Sequence, residues 1–451
     1  MKKSIFMVLF MGIICSCSTS IGQIEKPIEP VVEFNSSEKT IEDALSDMYV
    51  FWEATFGKEE TRGRENARPS IESIDKCTTI TTKGGKDEIE TVAYVVNFKD
   101  DAGFSILSAK KGCRAVIALT DNGSIEISKL QSALGEQEYN IDNSTITKEL
   151  FEKAPIIDSP DYFYSFLAES IMESINNEIE VISTKIDDYP WTEVLYTQSP
   201  LVLTKWGQKY PFNKSMKYWL FEPYNDEYRK RSPVGCGIIA AAQFMMVVNH
   251  PAFNTLVSGY SWSDFSDLCR FNNYASFLYF NYDNYATDSQ KTRMTKLAKG
   301  LSIIADEFNA ECQRDITLVD IGDVVDGLKN MDSYYINASI RYPTLSMATL
   351  INMLDNGKPT YFRGVAPSSG TGHAWVVDGY IIAKDHYSET VTVEYPCLHF
   401  NWGYYGKNDG YYSMDSFLVD NRFSRDNTID NSGIDYNLSE DFHNYRMFIS
   451  Y

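Results

Sequence analysis

Positive charge is scarce in this 451-residue chain, where 41 Lys and Arg face 62 Asp and Glu for a formal net charge of −21. That balance repels polyphosphate and anionic lipid surfaces, so a nucleic-acid partner is excluded. No run of 18 or more apolar residues follows the N-terminus, which excludes a later membrane-spanning helix of ordinary length. Histidine is rare, with five residues at 250, 373, 386, 399 and 443, so chemistry that needs an imidazole has few places to find one. The eight cysteines, at 15, 17, 77, 113, 236, 269, 312 and 397, form no CxxC pair and no dense framework. Free thiols are therefore expected rather than a disulfide scaffold. Cys397-Leu398-His399 has no second ligand pair to match it, and no EF-hand-like loop is present. No metal and no other cofactor is implied. Internal repeats and low-complexity runs are absent too.

What is present is a folding composition, 43% hydrophobic and 14% aromatic, at a length that suggests two domains and a targeting segment. Lys2 and Lys3 precede an apolar run from Ile5 to Ile14, the pattern of a signal peptide over residues 1–17. Ile14-Cys15-Ser16-Cys17 resembles a bacterial lipobox, which would make Cys17 a lipidated residue and the only route to a membrane. An exported chain, secreted or held at the surface or in the periplasm, is the expectation. Residues 18–32 read as a linker. From there to residue 188 a small α+β domain is expected. A helix starts at Thr40 with Asp43 as cap partner, strands run over 91–98, 103–108 and 114–120, and a second helix spans 160–181. Turn-like residues between Ile186 and Pro200 place a boundary, and the second domain covers 189–451.

That second domain carries the chemistry. The segment Cys236 to Val248 is apolar all round, so it is expected to be a helix buried in the middle of its domain. Pro233 and Gly235 mark the turn into it, and Cys236 falls at the positive end of the helix dipole, where a thiolate is favoured. Taken singly, Cys236 could equally be an inert core thiol. His373 follows a flexible Gly-Ser stretch and opens the strand to Tyr380, a position from which an imidazole can face a cleft and act as base. Asn401, 28 residues further on, could orient that imidazole through its amide oxygen with Trp402 covering the bond, or equally, taken singly, be a turn residue beside a core aromatic. Gln208, in Trp206-Gly207-Gln208, offers an N–H to an oxyanion beside the Cys236 backbone N–H.

In that order the blocks resemble the streptopain family of papain-clan cysteine peptidases. Trp206-Gly207-Gln208 with Pro211-Phe212-Asn213 resembles the entry to its peptidase domain. Gly235-Cys236 with Ala240, Ala242 and Gln243 resembles its nucleophile helix. Gly372-His373-Ala374 through Asp378-Gly379-Tyr380, and His399-Phe400-Asn401-Trp402-Gly403 with Asp409-Gly410-Tyr411-Tyr412, resemble its two closing segments. The hairpin around Tyr94 to Gly103 resembles the family's inhibitory propeptide. The resemblance implies an α+β papain-like domain, with a central buried helix and an antiparallel sheet, made as a zymogen. Its own propeptide over 33–188 would be the intramolecular inhibitor, removed by cleavage between about Glu180 and Gln198. It implies protein or peptide substrates, with Cys236, His373, Asn401, Trp402 and Gln208 as site residues. Two features depart from the family pattern. Tyr404-Tyr405-Gly406 stands where a Trp-Gly-Gly run is usual, and Gly237 follows the nucleophile. An acyl transferase on the same fold and a non-catalytic binding or inhibitor-like protein are the alternatives, the second disfavoured by the intact Cys, His, Asn and Gln set.

Overall fold

Thr40 caps a helix as its spacing predicts, its hydroxyl accepting from the Asp43 N–H, and α1 (Ile41–Thr55) buries Ala44, Met48, Phe51 and Trp52 on one face. The computed structural model describes residues 38–57, 68–83, 86–139, 160–176, 191–219, 231–248, 265, 286–331, 339–341, 347–365, 372–387, 392–413 and 446–450. The expected leader and linker, the stretch 177–190 and the loop 366–371 lie outside them.

After α1, a long hairpin of β1 (Ile71–Lys83) and β2 (Lys86–Phe98) continues through a tight turn into β3 (Phe104–Ser108) and β4 (Val116–Thr120). The turn is left-handed at Asp100 and Asp101, and Gly103 (φ 117°) lies so close to the Thr120 carbonyl that a side chain would collide with it. Helices α2 (Ile127–Tyr139) and α3 (Pro160–Asn176) cover one face of this sheet. β5 (Trp191–Gln198) follows, where turn-like, exposed residues were expected. The turn signals at Tyr189-Pro190 and Ser199-Pro200 flank it, and the residues between them take their extended state from pairing with β10.

The apolar segment forms α4 (Cys236–Val247), buried from Cys236 through Met246. α5 (Asp288–Glu307), opened by a Thr287–Gln290 capping box, and α6 (Ile321–Met331) pack in the same core. Beyond them come β6 (Glu311–Cys312), β7 (Thr317–Leu318), β8 (Ser339–Arg341), α7 (Met347–Asp355), β9 (Thr360–Val365), β10 (Gly372–His386), β11 (Thr392–Asn401), β12 (Gly410–Ser413) and β13 (Arg446–Ser450).

One antiparallel sheet takes in all of these strands except the small β6–β7 pair, in the order β1-β2-β3-β4-β12-β11-β10-β9-β13-β8. β10 is long enough to serve as its spine. β11 pairs along one edge, while β9 takes the first half of the other edge and β5 the second half. The β4–β12 pairing joins the N-terminal hairpins to the C-terminal strands, and residues 37–451 form one compact unit. The fold is α+β, with a buried central helix on an antiparallel sheet, as the sequence predicts. Among the described residues no disulfide joins Cys77, Cys113, Cys236, Cys312 and Cys397.

Candidate active site

Cys236 is the first residue of α4 and is 1% exposed. Gly235 precedes it at φ 94°, a left-handed conformation that costs glycine nothing, and caps the helix without a side chain. Gly235 supplies no side-chain acceptor to the first-turn N–H groups, and their partial positive charge favours an anion at this end. The entry loop is pinned on both sides: Val234 N–H donates to the Gln208 carbonyl (2.7 Å) and the Thr317 hydroxyl donates to the Pro233 carbonyl (2.6 Å). Burial pushes the Tyr361 hydroxyl of β9 well up, and the charge of Cys236 adds to the effect.

Gln208 is 2% exposed, and neither atom of its amide finds a hydrogen-bond partner among the described residues. A buried, unmet amide costs about 1–3 kcal/mol. Its backbone bond to Val234 sets it two residues from the nucleophile candidate. On the same segment Gly207 packs against the Tyr405 ring with no room for a side chain. The Tyr405 N–H donates to the Trp206 carbonyl and its hydroxyl accepts from the Lys209 N–H, both at 2.9 Å. Tyr405 itself sits at φ 62°, a left-handed conformation unfavourable for a bulky residue. Tyr405 thus binds the Gln208 segment to the loop after β11.

His373 is completely buried near the start of β10. Its Nε2 lies 2.9 Å from the Trp402 carbonyl. A carbonyl only accepts, so Nε2 carries the proton in the neutral ring and Nδ1 is left with a lone pair. The Tyr404 hydroxyl approaches Nδ1 at 3.2 Å, and the Tyr404 ring stacks on the imidazole at 4.8 Å and 16°. The next residue, Ala374, shares a core with Cys236, Tyr361 and Val376, so the strand of the imidazole packs on the helix of the thiol.

The acceptor that orients His373 is therefore the Trp402 carbonyl, where the Asn401 side chain was expected. Asn401 Oδ1 accepts instead from the Gln243 amide (3.1 Å) and the Gly403 N–H (3.2 Å), while its Nδ2 donates to the Thr204 carbonyl (3.0 Å). Gln243 also donates to the Thr204 carbonyl. Asn401 thus ties α4 to the end of β11, one residue from the carbonyl that holds the imidazole. The geometric reason is strand alternation, because neighbouring residues point their side chains to opposite faces while a backbone carbonyl stays available at the strand end. Trp402 is fully buried, with its ring 5.8 Å from His373 and 5.1 Å from Trp375.

The N-terminal part reaches this site through α3. Tyr162 packs at 5.9 Å from the His373 ring, and Phe163 and Phe166 pack edge-on against Trp402. The Tyr162 oxygen presses on Gly364 of β9, the cross-strand partner of His373. Gly364→Ala is expected to collide with Tyr162 and cost about 1–3 kcal/mol, as overpacking does. Thermal melting, with limited proteolysis reporting on the seat of α3, checks this; an unchanged melt and digest would contradict the contact.

Four participants carried no assigned role in the sequence reading: Gln243, Thr204, Tyr404 and Asp409. Gln243 and Asp409 stand inside the quoted motifs, so a signal existed for them. Thr204 contributes its carbonyl and, toward Gln243, its hydroxyl, and no pattern in the sequence marks it.

Residues 206–412 match the sequence profile described as the Peptidase C10 family. No curated protein matches the chain. Among solved structures, a fragment of prointerpain A from Prevotella intermedia, in which one cysteine is replaced by alanine, is similar at 15% identity and a TM-score of 0.42. That match covers 82% of this chain and 98% of the fragment. The active wild-type interpain A cysteine protease of the same organism is similar at 20% identity and a TM-score of 0.33, covering 49% of this chain and 88% of the protease.

Proposed function

Because residues 206–412 belong to the Peptidase C10 family, we propose that the chain is the precursor of an exported cysteine endopeptidase in which Cys236 attacks and His373 transfers the proton. The observation that carries this reading is the His373 Nε2 bond to the Trp402 carbonyl, which leaves Nδ1 as the basic nitrogen. In the reaction Nδ1 takes the thiol proton, and the sulfur adds to the peptide carbonyl. The resulting oxyanion accepts from the Cys236 N–H and the Gln208 amide, a role that supplies the partner Gln208 lacks among the described residues. The imidazolium then protonates the leaving amine, and water, deprotonated by the same nitrogen, hydrolyses the thioester.

Residues 33–188 act as the propeptide and 189–451 as the peptidase. The Tyr162 contact with the imidazole ring supports inhibition from α3. β5 pairs with β10 over residues 191–198, so cleavage belongs before Trp191, on the N-terminal side of that strand. A lipid on Cys17 would then sit on the propeptide, and maturation would release the peptidase.

The test is to express the chain from about Gln23, as wild type and as Cys236→Ala, and follow propeptide loss and casein cleavage under reducing conditions. Wild type should shorten and cleave casein, while the variant loses roughly 10⁴-fold or more of the activity. If wild type stays whole, a trace of trypsin supplies cleavage in trans. A cleaved, folded wild type no more active than Cys236→Ala would overturn the reading.

A further inference from the structure

The carbonyl that holds His373 belongs to a loop with an unusual backbone. Between Trp402 and Asp409, four residues are left-handed: Gly403 (φ 71°), Tyr405 (φ 62°), Gly406 (φ 82°) and Asn408 (φ 65°). Such a loop does not hold its shape by local preference, so something must close it. Asp409 does, reaching back seven residues to accept the Trp402 N–H at 2.9 Å. Asp409 is 6% exposed and immediately precedes Gly410, the first residue of β12 to pair in the sheet.

Behind Asp409 lies a second buried pair. His399 Nδ1 meets Asp378 Oδ1 at 2.6 Å, and the other Asp378 oxygen accepts the Val202 N–H at 2.8 Å. Burial works against a charge on His399, yet Asp378, joined by Asp409 and Asp121, holds its pKa above the ordinary value. Burial pushes Asp409 up to about 7, with His399, the Trp402 N–H and Lys205 pulling it down and Asp378 pushing it up. The groups facing this site are thus His399 from β11, Asp378 from β10, Tyr412 from β12, Lys205 from the segment before Trp206, and Asp121 after β4. His399 and Asp378 lie on adjacent strands, with His399 opposite Gly379.

We propose that Asp409, backed by the buried His399–Asp378 pair, is a positioning residue for the catalytic base, acting through the Trp402 backbone to set the carbonyl that orients His373. The inference rests on the reading of His373 as base. A charged acceptor makes a stronger hydrogen bond than a neutral one. Because Asp409 titrates near neutrality with its pKa raised, its charge is present above that range and lost as the pH falls through it. The grip on Trp402 weakens in the same interval, so the acid limb of activity carries the titration of a residue that never touches substrate.

The experiment compares wild type, Asp409→Ala and Asp409→Asn, each expressed as the full chain and matured in the same trypsin digest. It reads kcat and KM on a peptide substrate, the pH dependence of both, and the rate of Cys236 alkylation by iodoacetamide against pH. Asp409→Ala should lower kcat by roughly 10- to 100-fold with KM within about twofold, the cost of a misplaced reacting group. Asp409→Asn keeps an acceptor for the Trp402 N–H, so it should recover a substantial part of kcat while losing the step near pH 7 from both the kcat and alkylation profiles. If Asp409→Ala does not fold, Asp409→Asn alone decides, through the disappearance of that step. Wild-type kcat and profiles in Asp409→Ala, or an undisturbed acid limb in Asp409→Asn, would overturn the proposal. An inactive wild type would instead strike the peptidase reading.

Discussion

Gln208→Ala is expected to lower kcat on a peptide substrate by about 100- to 1,000-fold, the usual consequence of removing one oxyanion donor. The argument begins with an imbalance in the structure. Gln208 keeps both amide atoms out of water with no partner among the described residues, and its carbonyl bonds the loop two residues ahead of Cys236. A group paid for in this way is best understood as waiting for a charge that exists only during the reaction. Because that charge appears after attack, KM should move little while kcat falls. Removing the unmet amide also relieves a burial cost, so the variant should melt no lower than wild type. A loss of activity matched by a loss of stability would point to a packing role instead.

The second large effect concerns stability. Asp385 on β10 is 2% exposed, and its carboxylate accepts from the Ala115 N–H (3.0 Å) and from the hydroxyls of Thr192 (2.7 Å), Tyr395 (3.2 Å) and Tyr387 (3.3 Å). Ala115 leads into β4 of the N-terminal part, whereas Thr192 and the two tyrosines belong to the C-terminal part. Nearby, Lys39 and Asp47 form a buried ion pair at 2.7 Å. Burial pushes the Asp385 and Asp47 carboxyls up, and Lys39 is the leading influence pulling each back down.

Asp385→Ala strands these donors, each worth about 1–3 kcal/mol when buried and unmet. A destabilisation of about 3–5 kcal/mol follows, read as a fall in Tm on the order of 5–10 °C. Asp385→Asn keeps an acceptor and should lose less. The pH sign is fixed by the raised carboxyls: the folded state binds their protons more readily than the unfolded chain, so their contribution is greatest in acid and declines as pH rises through the raised values. Equal Tm for wild type and Asp385→Ala would show that these bonds hold nothing together.

Much of the site was legible because its chemistry depends on residue type and local context. The apolar stretch after Gly235 permits only a buried helix, so Cys236 had to start it. The β-branched and aromatic run from Ala374 to Tyr380 permits only a strand, so His373 had to stand near its beginning. β1 and β5 were not legible, since IESIDKCTTITTK is largely polar and WTEVLYTQ does not alternate cleanly, and the strand state of both is supplied by their neighbours.

The sequence by itself determined which elements present the candidate side chains, because periodicity, turn residues and helix-end electrostatics act over a few residues. Only the tertiary structure decided which oxygen holds the imidazole. Trp402 offers a carbonyl and Asn401 an amide one residue apart, and no local rule chooses between them. The choice follows from Gln243 and Thr204 engaging Asn401 from 158 and 197 residues away, and from Asp409 closing the loop behind Trp402. Those contacts form only once α4, the sheet and the loop have packed together.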